Sequence, residues 1–430
     1  MKMKKALFGF AAVGLSLALT ACSTPAVLIP AVGNYVKSDK LRNTSPNVSS
    51  NNLGKLVTGN SAFALDLYQT LKDGNDGNLF YSPYSLSLAL AMAYAGAKGK
   101  TASEMSDVMH FTLSPQALHA AFNYLALEID KRGEVTDYSD GFALDVVNDV
   151  WGQQNFQFLA GYLDTLAENY GAGLRILDFE NDAEAARQTI NQYIEDNTNG
   201  RIKDLIPQGA ITELTKLVLT NAIYFNASWE TPFTKELTGD GVFTLLDDTQ
   251  VSALMMRQSG SFKYAEGNGW QAVELPYEGG EIAMLVLLPG AGNFKAFEDS
   301  LDMSMVNGAV AALENMTVNL SLPKFSFDSS FGLKQALESM GMRQAFSDSA
   351  DFSGITGTKE LYIADVVHKA FVKVDETGTE AAAASGVIIN ATSVQVNQVT
   401  FNADRPFIFL IRDIPTGSIL FVGRVMNPVA

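Results

Sequence analysis

Apolar residues along this chain follow a helical period in the first half and a strand period in the second. Phe63, Ala64, Leu67, Tyr68 and Leu71 fall on one face of a helix. Asn60 or Ser61 is the expected N-cap, since a short side-chain oxygen there can accept a bond from a free backbone N–H. The next block is ambiguous. Leu86, Leu88, Leu90, Met92 and Tyr94 alternate with Ser87, Ala89, Ala91 and Ala93. Period two alone reads as a strand, whereas the alanines and the lack of β-branched residues favour a buried helix. Further on, Ile282 to Leu288 is a continuous apolar run stopped by Pro289, which predicts a buried strand. Val318, Leu320 and Leu322 alternate with Thr317, Asn319 and Ser321, the pattern of a half-buried strand. Leu333, Leu337 and Met340 mark one more helix, with Gly341 as its stop. Helices early and strands late give an α+β class.

The region after residue 370 is locally inconsistent. Phe371-Val372-Lys373-Val374 reads as a strand and Val387, Ile388 and Ile389 favour strand again. Between them lie Glu376-Thr377-Gly378-Thr379-Glu380 and four alanines, Ala381, Ala382, Ala383 and Ala384, which favour helix. Such a conflict is expected where function requires it. Nothing bulky stands in the run, and no proline interrupts residues 376–399, so each backbone N–H there is free to join a sheet.

These residues resemble the hinge of the serpin reactive-centre loop. Three further segments are similar to the same family, in the family's order. Asn78-Leu79-Phe80-Tyr81-Ser82-Pro83-Tyr84-Ser85-Leu86-Ser87 runs on to Gly99-Lys100-Thr101. Leu219-Thr220-Asn221-Ala222-Ile223-Tyr224-Phe225 leads to Trp229-Glu230-Thr231-Pro232-Phe233. Arg405-Pro406-Phe407 and Gly423-Arg424-Val425-Met426-Asn427-Pro428 close the chain. The resemblance covers residues 57–430 and resolves the ambiguous block at 86–94 as a helix. It implies one large domain with about three β-sheets, a bundle of helices and an exposed reactive-centre loop over about 376–404. It also implies a sheet "shutter" of Ser82, Ser85, Asn221 and His368, and a "breach" at Trp229 where the loop first enters.

Composition narrows the function. The chain has 430 residues, 47% of them hydrophobic, enough for a large core. A net charge of -17 argues against nucleic-acid binding, which needs a basic surface. Signs of an enzyme are few. The histidines are His110, His119 and His368, and there is neither an H-E-x-x-H zinc pattern nor a G-x-S-x-G elbow. Gly99-Lys100-Thr101 ends like a phosphate loop, but Tyr94 stands where the first glycine is needed. No base is spaced to activate Ser82 or Ser85. The expectation is a protein that is not an enzyme and needs no metal or cofactor.

At the N-terminus, Lys2, Lys4 and Lys5 precede an apolar stretch over 6–18, which reads as a signal peptide over 1–21. Leu19-Thr20-Ala21-Cys22 resembles the lipobox of bacterial lipoproteins, which implies a lipid on Cys22. Cys22 is the one cysteine, so no internal disulfide can form. Ser23 after it favours the outer membrane or cell surface over inner-membrane retention. The Ser-, Asn- and Pro-rich stretch that follows, within 22–56, is expected to be a flexible tether.

The resemblance implies a suicide-substrate inhibitor of serine proteases, a monomer whose loop inserts after cleavage. Thr379, Ala381, Ala383 and Ser385 would form the small inward face of the inserted strand, leaving Glu380 in solvent. From Thr379 to Thr392 such a strand spans about 45 Å at roughly 3.3 Å per residue. Family spacing puts the scissile bond at Thr392–Ser393, with Asn390, Ala391 and Val394 as neighbours. No Lys or Arg occurs between Thr377 and Asp404, and no aromatic before Phe401. Elastase-like or subtilisin-like enzymes are therefore the expected partners, and cysteine proteases of similar taste fit the same residues. The rival reading is a non-inhibitory serpin acting as a binding protein or chaperone.

Overall fold

A computed structural model describes residues 34–132, 142–379 and 398–430. In chain order the first half holds β1 (Asn34–Val36), α1 (Ser50–Lys72), β2 (Leu79–Tyr81), α2 (Pro83–Tyr94), α3 (Gly99–Val108), α4 (Pro115–Arg132), β3 (Phe142–Gln153), α5 (Ala160–Tyr170), β4 (Leu174–Leu177), α6 (Ala183–Asn197) and β5 (Leu217–Ser228). Strands dominate afterwards: β6 (Gly239–Thr244), β7 (Gln250–Gly267), β8 (Trp270–Pro276) and β9 (Ile282–Pro289). Two short helices, α7 (Phe294–Asp299) and α8 (Met303–Ala311), lead to β10 (Glu314–Pro323) and β11 (Phe325–Gly332). The chain continues through α9 (Lys334–Met340), α10 (Ser353–Thr356), β12 (Ile363–Val374), β13 (Gly378–Thr379), β14 (Gln398–Asn402), β15 (Phe407–Asp413) and β16 (Ile419–Val425).

The ambiguous block is helix α2. Ser82 caps it, accepting from the Ser85 N–H, and Pro83 starts its first turn. Every residue from Pro83 to Ala93 is buried, so the helix has no polar face for a 3.6-residue period to reveal. β9 is likewise buried at all eight positions, and α9 ends at Gly341, whose φ of 124° suits only glycine.

Two expectations are corrected. Helix α1 starts at Ser50 under a Ser49 cap, so Asn60 and Ser61 are buried interior residues of the helix and not its cap. Its first turns contain Asn51, Asn52 and Gly54, weak helix formers, and are held by the packing of Leu56 and Val57. The flexible tether expected over 22–56 is corrected from Asn34 onward. There the polar residues are used as partners by the body: Ser38 donates to Asp164, and Asn43 N–H donates to the Glu168 carbonyl at 2.9 Å.

The described strands form two sheets where about three were expected. A seven-stranded sheet runs β1-β4-β3-β5-β13-β12-β11, and a nine-stranded sheet runs β14-β10-β7-β8-β9-β15-β16-β2 with β6 on β7. The reason is β7. It is 18 residues long, pairs β10 through residues 255–264 and β8 through 263–267, and so joins what would be two sheets into one. The main core lies between the sheets and the helices, and a second cluster packs α6 onto the outer side of the seven-stranded sheet through Trp151, Phe179 and Ile190.

Candidate functional site

The seven-stranded sheet has an unusual centre. β5 and β12 run parallel and pair directly from Leu217↔Ile363 to Tyr224↔Phe371. Above that point they part, and β13 lies between them, antiparallel to both: Gly378↔Ser228 and Thr379↔Ala227 on one side, Thr379↔Val374 on the other. The chain makes this turn tightly. Asp375 takes the Thr377 N–H at 2.9 Å and its hydroxyl at 2.6 Å, and Asp375 N–H reaches the Gly378 carbonyl at 2.9 Å.

Each side of the opening is braced. The Trp229 indole N–H donates to the Asp375 carbonyl at 3.0 Å and its backbone N–H to the Thr377 carbonyl at 2.9 Å. Its ring stacks on Tyr277 with centroids 4.5 Å apart. Tyr277 in turn shares a 2.7 Å bond with the Thr379 hydroxyl, and burial pushes its phenol pKa up, so it remains neutral. Glu376 is buried and meets the Lys324 ammonium at 2.6 Å. Burial works hardest against its charge, but the bond from Lys324, bonds from its own backbone and from Thr238, and the Lys324 charge together outweigh it and hold the carboxyl below its usual value. Gly378 is required for contact: a Cβ there would lie 2.1 Å from the Ala227 carbonyl oxygen.

Beneath the opening, where β5 and β12 are still paired, a polar cluster crosses the sheet. Asn148 on β3 faces Asn221 on β5, which faces His368 on β12. The Ser82 N–H donates to His368 Nε2 at 3.2 Å, so the ring proton sits on Nδ1 and is donated to Asn221 Oδ1. Asn221 Nδ2 then donates to Ser85 Oγ and Asn148 Oδ1, and Asn148 Nδ2 returns to the Ser85 carbonyl at 3.0 Å. Ser82 Oγ accepts from Ser85 N–H at 3.1 Å and donates to the Leu420 carbonyl at 2.7 Å. Burial pushes His368 down to about 3, although its bond with Asn221 raises it, so the ring is neutral. The arrangement satisfies buried polar groups across a strand boundary. Among the described residues no group of His, Cys, Asp or Glu is set to hold a metal ion.

A family model described as Serpin (serine protease inhibitor) matches residues 58–428. The chain belongs to the serpin family. This serpin is 42% identical over 376 residues to an uncharacterized serpin-like protein of Thermococcus kodakarensis, covering 87% of this chain and 86% of that one. It is 37% identical over 385 residues to the leukocyte elastase inhibitor of Homo sapiens, covering 87% of this chain and 100% of that one. Among solved structures, the native thermophilic serpin tengpin matches with a TM-score of 0.80 at 27% identity, over 91% of this chain and 97% of its own. Uncleaved ovalbumin matches with a TM-score of 0.77 at 27% identity, over 87% and 100%. The α+β serpin fold read from the sequence is thus the fold of this serpin.

Of the site residues named from sequence, Ser82, Ser85, Asn221 and His368 meet in one network, and Trp229, Glu376, Gly378 and Thr379 meet at the opening. Glu380, Ala381 to Ala384, Asn390 to Val394 and Cys22 lie outside the described residues. Sequence reasoning missed Asn148, Tyr277 and Lys324. For Asn148 a signal existed: Leu144, Val146 and Val150 share its inward face, and an amide in such a row needs partners.

Proposed function

We propose that this serpin is a suicide-substrate inhibitor of serine proteases, cut at Thr392–Ser393 and trapping the acyl-enzyme by loop insertion between β5 and β12. The supporting observation is β13, a two-residue strand already seated at the head of the gap the loop has to fill. Loop insertion in serpins is strand addition, in which backbone bonds supply the affinity and side-chain size decides what fits. Continued in the register of Thr379, Ser385 arrives opposite both Asn221 and His368. Its side chain then points the same way as that of Thr379, toward the polar cluster, since side chains alternate along a strand. A serine there offers a hydroxyl to Asn221 and His368 when the bond between them is separated. In the same register Ala381 falls opposite Phe225 and Val372, and Ala383 opposite Ile223 and Ala370, where side chains this small suit the inward face.

Small-residue specificity follows from the loop sequence, which lacks basic and aromatic residues before Phe401. The name of the human relative, an elastase inhibitor, accords with that choice. Partners are elastase-like or subtilisin-like serine proteases, with cysteine proteases of similar preference as further targets, and the protein acts as a monomer. Export and a lipid on Cys22 hold it at the outer membrane or cell surface. Mixing the protein with pancreatic-type elastase and running a denaturing gel tests the inhibitory reading. A detergent-resistant complex is expected, with the mass of the two proteins less the peptide that follows the cut, and mass spectrometry of that released peptide locates the bond. Cleavage without complex would return the protein to the non-inhibitory reading, that of a binding protein or chaperone.

A further inference from the structure

Residues 34–49 form an arm that the inhibitory reading does not use. β1 adds itself antiparallel to the edge of the seven-stranded sheet, with Asn34↔Ile176, Tyr35↔Arg175 and Val36↔Leu174. The Arg175 guanidinium, paired with Asp149 at 2.7 Å, lies 3.8 Å from the Tyr193 ring centroid, 5.1 Å from Tyr35 and 5.5 Å from Trp151. The arm thus completes an aromatic enclosure around a cation on the second strand of the sheet. The body leaves room for it: a Cβ on Gly173 would sit 2.6 Å from the Val36 carbonyl oxygen and 2.9 Å from the Tyr35 ring.

One residue after β1, the arm is fastened to the helices. Ser38 donates to Asp164 on α5, and Lys40 bridges Asp164 at 3.2 Å and Glu168 at 2.9 Å. Arg42 Nε donates to Asn123 Oδ1 on α4 at 2.9 Å, and Asn123 Nδ2 donates to the Asn43 carbonyl at 2.7 Å. Asn123 is fully buried, so this second pair is shielded from water in a way the half-exposed Lys40 is not. These helices are themselves fixed to the interior. The Leu159 N–H at the head of α5 bonds the Ile355 carbonyl of α10 at 2.8 Å, and Gly354 N–H of α10 bonds the Gly96 carbonyl beyond α2 at 3.0 Å.

The mechanical consequence follows from strand order. A new strand can fit between β5 and β12 only if they separate by one more strand spacing, about 4.8 Å. β1, β4, β3 and β5 are bonded to one another and move as a block. The arm ties the far edge of that block to α4 and α5, and Lys37 alone separates the strand from the pinned Ser38, which leaves no slack. We propose that the arm is a strap that opposes separation of β5 from β12 and so slows any event that needs this sheet to open.

Hydrogen exchange on the full-length chain tests this without relying on protease inhibition. Two variants are compared with the parent. Gly173→Ala places a methyl group where the arm lies, at a backbone conformation alanine accepts, and Tyr35→Ala removes the ring over Arg175. Amides of residues 218–224 and 366–371 are expected to exchange about tenfold faster in both variants, while those of 283–288 and 408–411 keep the parent's rate. Unchanged exchange along β5 and β12 in both variants would overturn the strap. So would equal acceleration in β9 and β15, because that reports general loss of stability. If exchange responds as expected but no variant or parent traps elastase, the strap stands and the inhibitory reading falls.

Discussion

Gly378 shows how one residue sets the geometry of the opening. With the Ala227 carbonyl oxygen 2.1 Å from the place a Cβ would take, even alanine forces backbone to shift. Gly378→Ala is expected to cost roughly 1–3 kcal/mol, the range for overpacking, and to free the turn that Trp229 grips. A lower urea midpoint and a red-shifted tryptophan emission would report it. His368 carries a second consequence, through protons. Burial holds it neutral down to about 3, and holds His119 neutral down to about 4. An unfolded histidine takes up its proton near pH 6.5. The unfolded chain therefore binds more protons in the interval between, and stability falls as pH drops from about 6.5 toward those values. Above pH 6.5 this contribution is complete. In His368→Gln the loss of melting temperature between pH 7 and pH 4 should be smaller than in the parent, with the remainder left to His119 and the carboxylates. An identical pH profile would exclude His368 as a source of acid lability.

At the scale of elements, the strand pair β5–β12 is the part on which the proposed function turns. Ser385→Arg would bring an uncompensated charge between Asn221 and His368 if the loop inserted, at a cost on the order of several kcal/mol. Elastase is then expected to cut the variant and leave, giving cleaved protein and little covalent complex on the gel. Undiminished complex formation would mean that this residue does not pass the cluster. Much of this architecture was legible beforehand, because periodicity and small-residue content are local properties. α2 could be read from its alanines, β9 from its unbroken apolar run and α9 from its glycine stop. What escaped depends on distant partners. β1 is three residues, Asn34-Tyr35-Val36, and only its register against β4 makes it a strand. The start of α1 was hidden by Asn51, Asn52 and Gly54, which favour turns in isolation and are carried into the helix by the buried Leu56 and Val57 behind them. Tyr277 is one tyrosine among fourteen until the fold sets it against Trp229 and Thr379.

For the molecule as a whole, a cut loop that becomes a full strand between β5 and β12 adds backbone bonds and buried surface along the length of the sheet. Protein cleaved by elastase, then freed of the enzyme, should melt well above the intact form in a calorimeter, and equal melting temperatures would contradict insertion. Where the arm meets the sheet gives this journey a direction. Asn34 stands level with Ile176, Gly152 and Leu217, at the foot of β5, ten residues below Ala227 and Thr379. That is about 33 Å from the breach at roughly 3.3 Å per residue. Eleven residues separate Asn34 from Cys22, a leash of at most about 40 Å. An enzyme drawn down the sheet by the proposed insertion would come to rest at the end of the body where the N-terminal arm joins it, so the strap and the captive would share one pole.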